Sequence, residues 1–456
     1  MNHAPLKFLL CLAVAAIVWF LTPEPLTLKH GMAVFVLIGL LWVTQAISIT
    51  VTALLVPLLA VLTGLMQPRE ALASFSNPII FLFLGGFAIA AALSHQGLDK
   101  TLASNVVRLS GGRRLNAVLL LCGASALLSM WISNTATVAM MLPLALGLLK
   151  TTDAGSSDDS STQVQSNWRE NSFILLALAY SASIGGIGTV IGSPPNAIAA
   201  AEANISFAAW MKFGIPLALL LWPIMLVLLY LTLRPSLSGR IDVPPPKTIR
   251  QRSKLITLGI FALTVMLWIL SVPLAKALGV RGDMDAMIAV LAIFLLIISG
   301  SVTWKKIEAD AHWGILLLFG GGIALSEVMR KSEVSQFLAE SFLIHAGTIP
   351  AFVVVLMIIA FVVFLTELVS NTASAALLIP IFTVVATGLG LSQQSMAAMI
   401  AVSASCAFML PVATPPNAIV FATDQVSQST MMRCGLVLNL FCIGLITAMA
   451  YGLAKL

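Results

Sequence analysis

Two tripeptides of small polar residues, Ser133-Asn134-Thr135 and Ser370-Asn371-Thr372, stand at the centres of the apolar segments 116–150 and 350–390. A proline follows each serine after ten residues, Pro143 in the first copy and Pro380 in the second. A second repeated element comes later: Pro194-Pro195-Asn196-Ala197-Ile198 and Pro415-Pro416-Asn417-Ala418-Ile419. At about 1.5 Å per residue, an apolar segment of about 35 residues is twice one crossing, so it can enter a bilayer and return as two helices. The tripeptide is then the turn at membrane depth. Backbone leaving a helix in lipid exposes polar groups costing several kcal/mol each, unless it lines a polar cavity or is buried in protein. The incoming helix presents free carbonyls there, and together with a serine hydroxyl and an asparagine amide oxygen they suit a hard, oxygen-seeking cation. The outgoing helix presents free N–H groups, which suit an anion. Two successive prolines break a helix, since proline has no N–H and clashes with the carbonyl four residues back. The segments 171–201 and 395–421 therefore read as broken helices. The first is loosened further by Gly185-Gly186-Ile187-Gly188 and Gly192-Ser193, while Ala413-Thr414 leads into the second.

The elements that must position these groups are membrane helices. Of 456 residues, 59% are apolar and 9% charged, where a soluble protein carries roughly 25% charged. Mean hydropathy is +1.03 over the whole chain. The formal charge of +6 does not indicate nucleic acid, because the bases sit in short clusters between apolar spans. Spans of crossing length are 6–22, 31–47, 50–66, 208–233, 255–273, 283–300 and 432–453. Segments 77–108 and 314–342 begin apolar, contain Gly85-Gly86 and Gly321-Gly322, and end amphipathic. The expected fold is an all-α polytopic membrane protein, with about eleven transmembrane helices plus two re-entrant hairpins. Its organisation is an extra helix (1–30), a first repeat (31–234), a basic loop (235–254) and a second repeat (255–456). The Ser/Asp-rich stretch 151–167 accounts for the longer spacing in the first copy and is expected to be a loop. Arg234, Arg240, Lys247, Arg250, Arg252 and Lys254 make the densest basic loop, which belongs in the cytoplasm. The N-terminus is then cytoplasmic and the C-terminus external, and the two repeats are inverted. Inverted repeats with broken helices at the midplane are the architecture of secondary transporters.

Missing residues narrow the chemistry. No Lys or Arg occurs in 116–149, 171–211 or 350–432, so an anion held there has no guanidinium clamp. Moving it inward against the membrane potential costs about 2.3 kcal/mol per charge per 100 mV. Helix N-termini and co-bound cations must compensate, which points to cation-coupled anion import.

The paired Ser-Asn-Thr hairpins, each followed by a Ser/Thr-Pro-Pro-Asn break, resemble the divalent anion/sodium symporter family, the INDY-type dicarboxylate transporters, over the full length. The resemblance implies a homodimer in a bacterial inner membrane, each protomer having a scaffold domain and a transport domain that moves elevator-fashion. It implies Na+ as the coupling ion and C4-dicarboxylates (succinate, fumarate, malate) as cargo. One sodium site would use Ser129, Ser133, Asn134 and the Gly192 carbonyl; the other would use Thr366, Ser370, Asn371 and the Ala413 carbonyl. Ser129 and Thr366 each stand four residues before the motif serine, one helical turn away. Cargo carboxylates would meet Asn134, Thr135, Ser370, Asn371 and Thr372, with Ser193, Thr414 and Pro415 nearby. The family commonly has an acidic residue where this chain has Gln45, a position assigned to the scaffold and its packing.

Rival readings keep the fold and change the cargo to citrate, tartrate, sulfate or another oxyanion, or the coupling ion to a proton. A passive anion channel is the rival of another class. A membrane hydrolase lacks both a nucleophile–base pair and a metal motif. Cys11, Cys122, Cys406, Cys434 and Cys442 lie in apolar stretches with no C-x-x-C. His95, His312 and His345 lack ligand spacing and read as solvated or satisfied. Glu202, Glu327 and Asp424 read as interfacial. The first copy has Met130 where the second has Glu367, so a structural hydrogen-bonding role suits the acid better than a part in the symmetric site.

Overall fold

The structure is a computed structural model that describes residues 4–98, 101, 105, 108–149, 160–237, 239–240, 252–280, 282–346 and 349–453. Among these residues every regular element is a helix, and the only β-type pairing is an isolated bridge between Arg113 and Arg240. Among the described residues, nine helices are long and apolar enough to cross a membrane, and five shorter apolar ones accompany them. Of the basic loop, Lys247 and Arg250 lie outside the described residues.

The first half begins with α1 (Ala4–Leu21), α2 (Leu26–Thr44) and α3 (Ile49–Leu62), followed by α4 (Pro78–His95). A hairpin comes next, made of α5 (Arg114–Ser129) and α6 (Asn134–Leu149), with Ser133-Asn134 at its turn. A broken helix follows as α7 (Ser160–Gly185), two 3-10 turns and α8 (Pro194–Glu202), and α9 (Phe207–Leu233) closes the half. The second half repeats the order with α10 (Arg252–Ile269), α11 (Met284–Ile298), α12 (Trp313–Lys331) and α13 (Val334–Ala346). Its hairpin is α14 (Ala351–Thr366) with α15 (Asn371–Gly388), and its broken helix is α16 (Gln393–Ser405) with α17 (Pro415–Phe421). The last element is α18 (Gln428–Leu453).

Three segments differ from the sequence reading. The spans expected at 50–66 and 283–300 end at Leu62 and Ile298, giving helices of 14 and 15 residues. Such helices rise about 21–23 Å, less than a full hydrocarbon core of about 30 Å. The stretch 151–167 is not a loop throughout: residues 151–159 lie outside the described residues, and from Ser160 the chain is helical. No Gly or Pro interrupts 160–184, so a helix nucleated in the apolar run propagates back through the polar residues at little cost.

The broken helices occupy the centre. Every residue from Ser172 to Ser193 is buried, as is every residue from Met396 to Phe408. Around them the halves pack crosswise, α4 on α11 and α12 on α3. The Gly-Gly pairs make this possible. A Cβ on Gly85 would lie 2.9 Å from the Ala289 Cα, and one on Gly321 would lie 2.6 Å from the Ala53 Cα. Small residues at both crossings let the backbones touch, the usual means of packing helices where lipid supplies no hydrophobic drive.

Candidate functional site

Each hairpin turn places an asparagine as the first residue of its outgoing helix, Asn134 on α6 and Asn371 on α15. Ser133 Oγ caps α6 by accepting from the Ala136 N–H at 3.3 Å. The prolines of each break likewise start a helix, Pro194 for α8 and Pro415 for α17. Thr414 caps the latter by accepting from the Asn417 N–H. All four first residues line one cavity of about 660 Å³, a volume in the range that takes small ligands. Four helix N-termini, each carrying the positive end of its dipole, therefore meet in one space. Ser133, Thr135, Gly192, Ser193, Ser370, Thr372, Ala413 and Thr414 line it as well. No Lys, Arg, Asp or Glu is among its described lining residues.

Ser129 and Thr366 are fully buried, one step behind this wall. Ser129 Oγ donates to Asn134 Oδ1 at 2.5 Å, and Thr366 Oγ1 donates to Asn371 Oδ1 at 2.6 Å. Thr366 also reaches the Ala404 carbonyl at 3.0 Å. The Asn134 amide faces the carbonyls of Ala182 and Gly192, at 3.2 and 3.3 Å. With its oxygen inward, Asn134 makes a cluster of amide, hydroxyl and carbonyl oxygens that a bound cation would hold together. With its nitrogen inward, the same amide donates to both carbonyls. These oxygens, of a kind that suits a hard monovalent cation, come from the C-terminal ends of α5 and α7, the first residue of α6 and the second 3-10 turn. Close approach of the break to the hairpin depends on Gly186, where a Cβ would stand 2.5 Å from Asn134 Oδ1.

The asparagines of the Pro-Pro-Asn elements were not among the expected site residues, yet they shape both breaks. Asn196 Nδ2 donates to the carbonyls of Gly186 and Thr189, both at 2.8 Å. Asn417 Nδ2 donates to those of Ala407 and Leu410, both at 3.1 Å. The same residue thus staples the same bend in each half. In the second half Glu367 completes the work, as expected of it. Its carboxylate accepts from the N–H groups of Phe408, Met409 and Leu410 at 2.7, 2.9 and 3.0 Å, and from Asn439 Nδ2 at 2.7 Å. In the first half, Thr189 Oγ1 instead donates to the Met130 carbonyl at 2.5 Å and accepts from the Gly192 N–H. The breaks are tied across the halves by Ser193 Oγ and Ser405 Oγ at 3.3 Å, and by the Tyr180 hydroxyl on the Phe408 carbonyl at 2.6 Å.

Other participants were invisible in the motifs. The carbonyls of Ala182 and Ala404 reach the hairpin clusters only because the broken helices end there. Ser183 lines the cavity with a buried hydroxyl that has no partner among the described residues. Gln45, assigned to scaffold packing, lines the cavity too, in the left-handed position that follows α2 (φ 48°). His312 is exposed, as a solvated histidine should be, but its surface faces this cavity.

A family model described as a citrate transporter matches residues 39–404. An uncharacterized transporter of Haemophilus influenzae is 43% identical over 430 residues, covering 93% of this chain and 91% of its own. The sodium-dependent dicarboxylate transporter SdcS of Staphylococcus aureus is 34% identical over 476 residues, covering 98% of this chain and 89% of its own. Among solved structures, the YdaH transporter of Alcanivorax borkumensis shares the fold with a TM-score of 0.57 at 16% identity, covering 83% of this chain and 86% of its own. MtrF of Neisseria gonorrhoeae gives a TM-score of 0.54 at 13% identity, covering 86% and 83%. The resemblance carried by the doubled motifs agrees with these findings.

Proposed function

We propose that this chain, which belongs to the citrate transporter family, imports C4-dicarboxylates by sodium-coupled symport. It is a multi-pass membrane transporter and not an enzyme. The observation that carries the cargo reading is the convergence of four helix N-termini on a cavity without basic side chains. Such a cavity attracts an anion through peptide dipoles, each modest in strength. A dianion in a low-dielectric site needs further positive charge, and the oxygen clusters at Asn134 and Asn371 are built to hold it as cations. The name of the Staphylococcus relative agrees with sodium and a dicarboxylate.

Ser129, Ser133, Asn134 and Gly192 would hold one sodium ion, and Thr366, Ser370, Asn371 and Ala413 the other. Cargo carboxylates would take the N–H groups and side chains of Asn134, Thr135, Ser370, Asn371 and Thr372, between Ser193 and Thr414-Pro415. The hairpins and broken helices would move together past α1–α4 and α10–α13, in a homodimer of the bacterial inner membrane with its N-terminus inside.

Uptake of labelled succinate into proteoliposomes, with and without an inward sodium gradient, tests this reading. Accumulation above the external concentration is expected only with the gradient. Asn134→Ala and Asn371→Ala should each abolish it while still inserting. Equal uptake under both conditions would refute the coupling, and wild-type uptake by both variants would refute the site. Citrate belongs in the same screen, because the family model is described by it.

A further inference from the structure

His312 brings the one imidazole to the lining of the cavity among the described residues. It precedes α12 without capping it through its side chain. Its ring lies edge-on to Phe87, with centroids 5.3 Å apart. A second cavity, of about 500 Å³, shares Phe87, Ala90, Ser133 and His312 with the first. It continues past Ser94 and Asp310, on the face where α4 and α11 end and Gln96 Nε2 donates to the Ser301 carbonyl. His312 therefore stands where the helix-lined cavity and the second cavity adjoin. The duplication does not repeat it: when Gly85-Gly86 is matched to Gly321-Gly322, the corresponding residue is Ser76.

We propose that an imidazole N–H of His312 donates to a carboxylate of the cargo where the two cavities adjoin. The proposal rests on the anion-transport reading above. An imidazole N–H can donate to a carboxylate whether or not the ring is charged, and no Lys or Arg among the described residues lines either cavity to take that place. Asp310 lines the second cavity and is paired with Lys306 at 2.8 Å, and the faces of α4, α6 and the α2–α3 turn that line the two cavities bring no charged side chain.

The test is exchange of labelled fumarate by the full-length protein in proteoliposomes, read as KM and maximal rate. His312→Phe, which removes the N–H, is expected to raise KM several-fold with the maximal rate little changed, and His312→Gln, which keeps a donor, should stay close to the wild type. A wild-type KM in His312→Phe overturns the proposal, as does a rise in KM in His312→Gln as large as in His312→Phe. Absence of exchange by the wild type, with succinate and citrate also immobile, overturns the transport reading together with it.

Discussion

Asn196 and Asn417 show how a residue of a doubled motif can be structural. Each is fully buried, and each gives both protons of its Nδ2 to carbonyls freed by the break before it. Alanine at either position would leave two buried carbonyls without donors, at about 1–3 kcal/mol for each group. Both Asn196→Ala and Asn417→Ala should therefore lose about 2–6 kcal/mol of stability, by similar amounts because the bonds repeat. Aspartate cannot substitute, since its oxygens would face the same carbonyls. Thermal unfolding of the purified variants in detergent checks this, and an alanine variant as stable as the wild type would contradict the stapling role. The sequence displayed these asparagines plainly, in a doubled motif, but not their task. Which carbonyls need a donor is decided by the path of the break, and in the first half that path is set by Gly186, Thr189 and the 3-10 turns together.

At the scale of elements, the hairpins and breaks were legible because length and polarity conflict with a single crossing: segments 116–150 and 350–390 are too long and too polar at their centres to be anything simpler. Helix partners were not legible. Gly85 and Gly321 meet Ala289 and Ala53, residues far away in sequence and in the other half of the duplication, and nothing in a local pattern names them. The asymmetry between Glu367 and Met130 was readable as a difference, whereas the three N–H groups awaiting the carboxylate were not. The crossings carry a prediction with its own control. Gly85→Ala and Gly321→Ala each place a methyl within 3 Å of a neighbouring backbone, so either helices separate or the protein fails to assemble, with a loss of several kcal/mol as in overpacked cores. Gly259, in the interior of α10, has nothing within 4 Å of a built Cβ, and Gly259→Ala should be neutral or stabilising by up to about 1 kcal/mol. Expression yield and melting temperature of the three variants decide it. Equal behaviour of Gly85→Ala and Gly259→Ala would mean the crossing is not close.

For the whole molecule, the question is which parts move as a body. The site is assembled from both halves, because α8 packs on α15 and α16 while α17 packs on α6 and α7. A cavity built this way cannot open by parting one half from the other without pulling the breaks from their hairpins. Movement of the hairpins and breaks as one unit avoids that loss. The contact such a unit would have to slide across is visible at Trp131, beside the first hairpin turn. Its ring meets Phe261 of α10 edge-on, with centroids 5.2 Å apart, and it also lies against Phe207. These are apolar contacts, which are non-directional and tolerate sliding, unlike the buried hydrogen bonds inside the unit. Bridging Trp131→Cys and Phe261→Cys with a short bifunctional thiol reagent should stop sodium-driven uptake, and a reducible version of the bridge should restore it on cleavage. The five native cysteines are buried, so the wild type under the same reagent serves as control. A bridge between α4 and α11, which pack together throughout, should leave uptake intact. Transport that survives the Trp131–Phe261 bridge would mean that the first hairpin stays against α10 through the cycle, and the moving body would then have to be sought among the remaining elements.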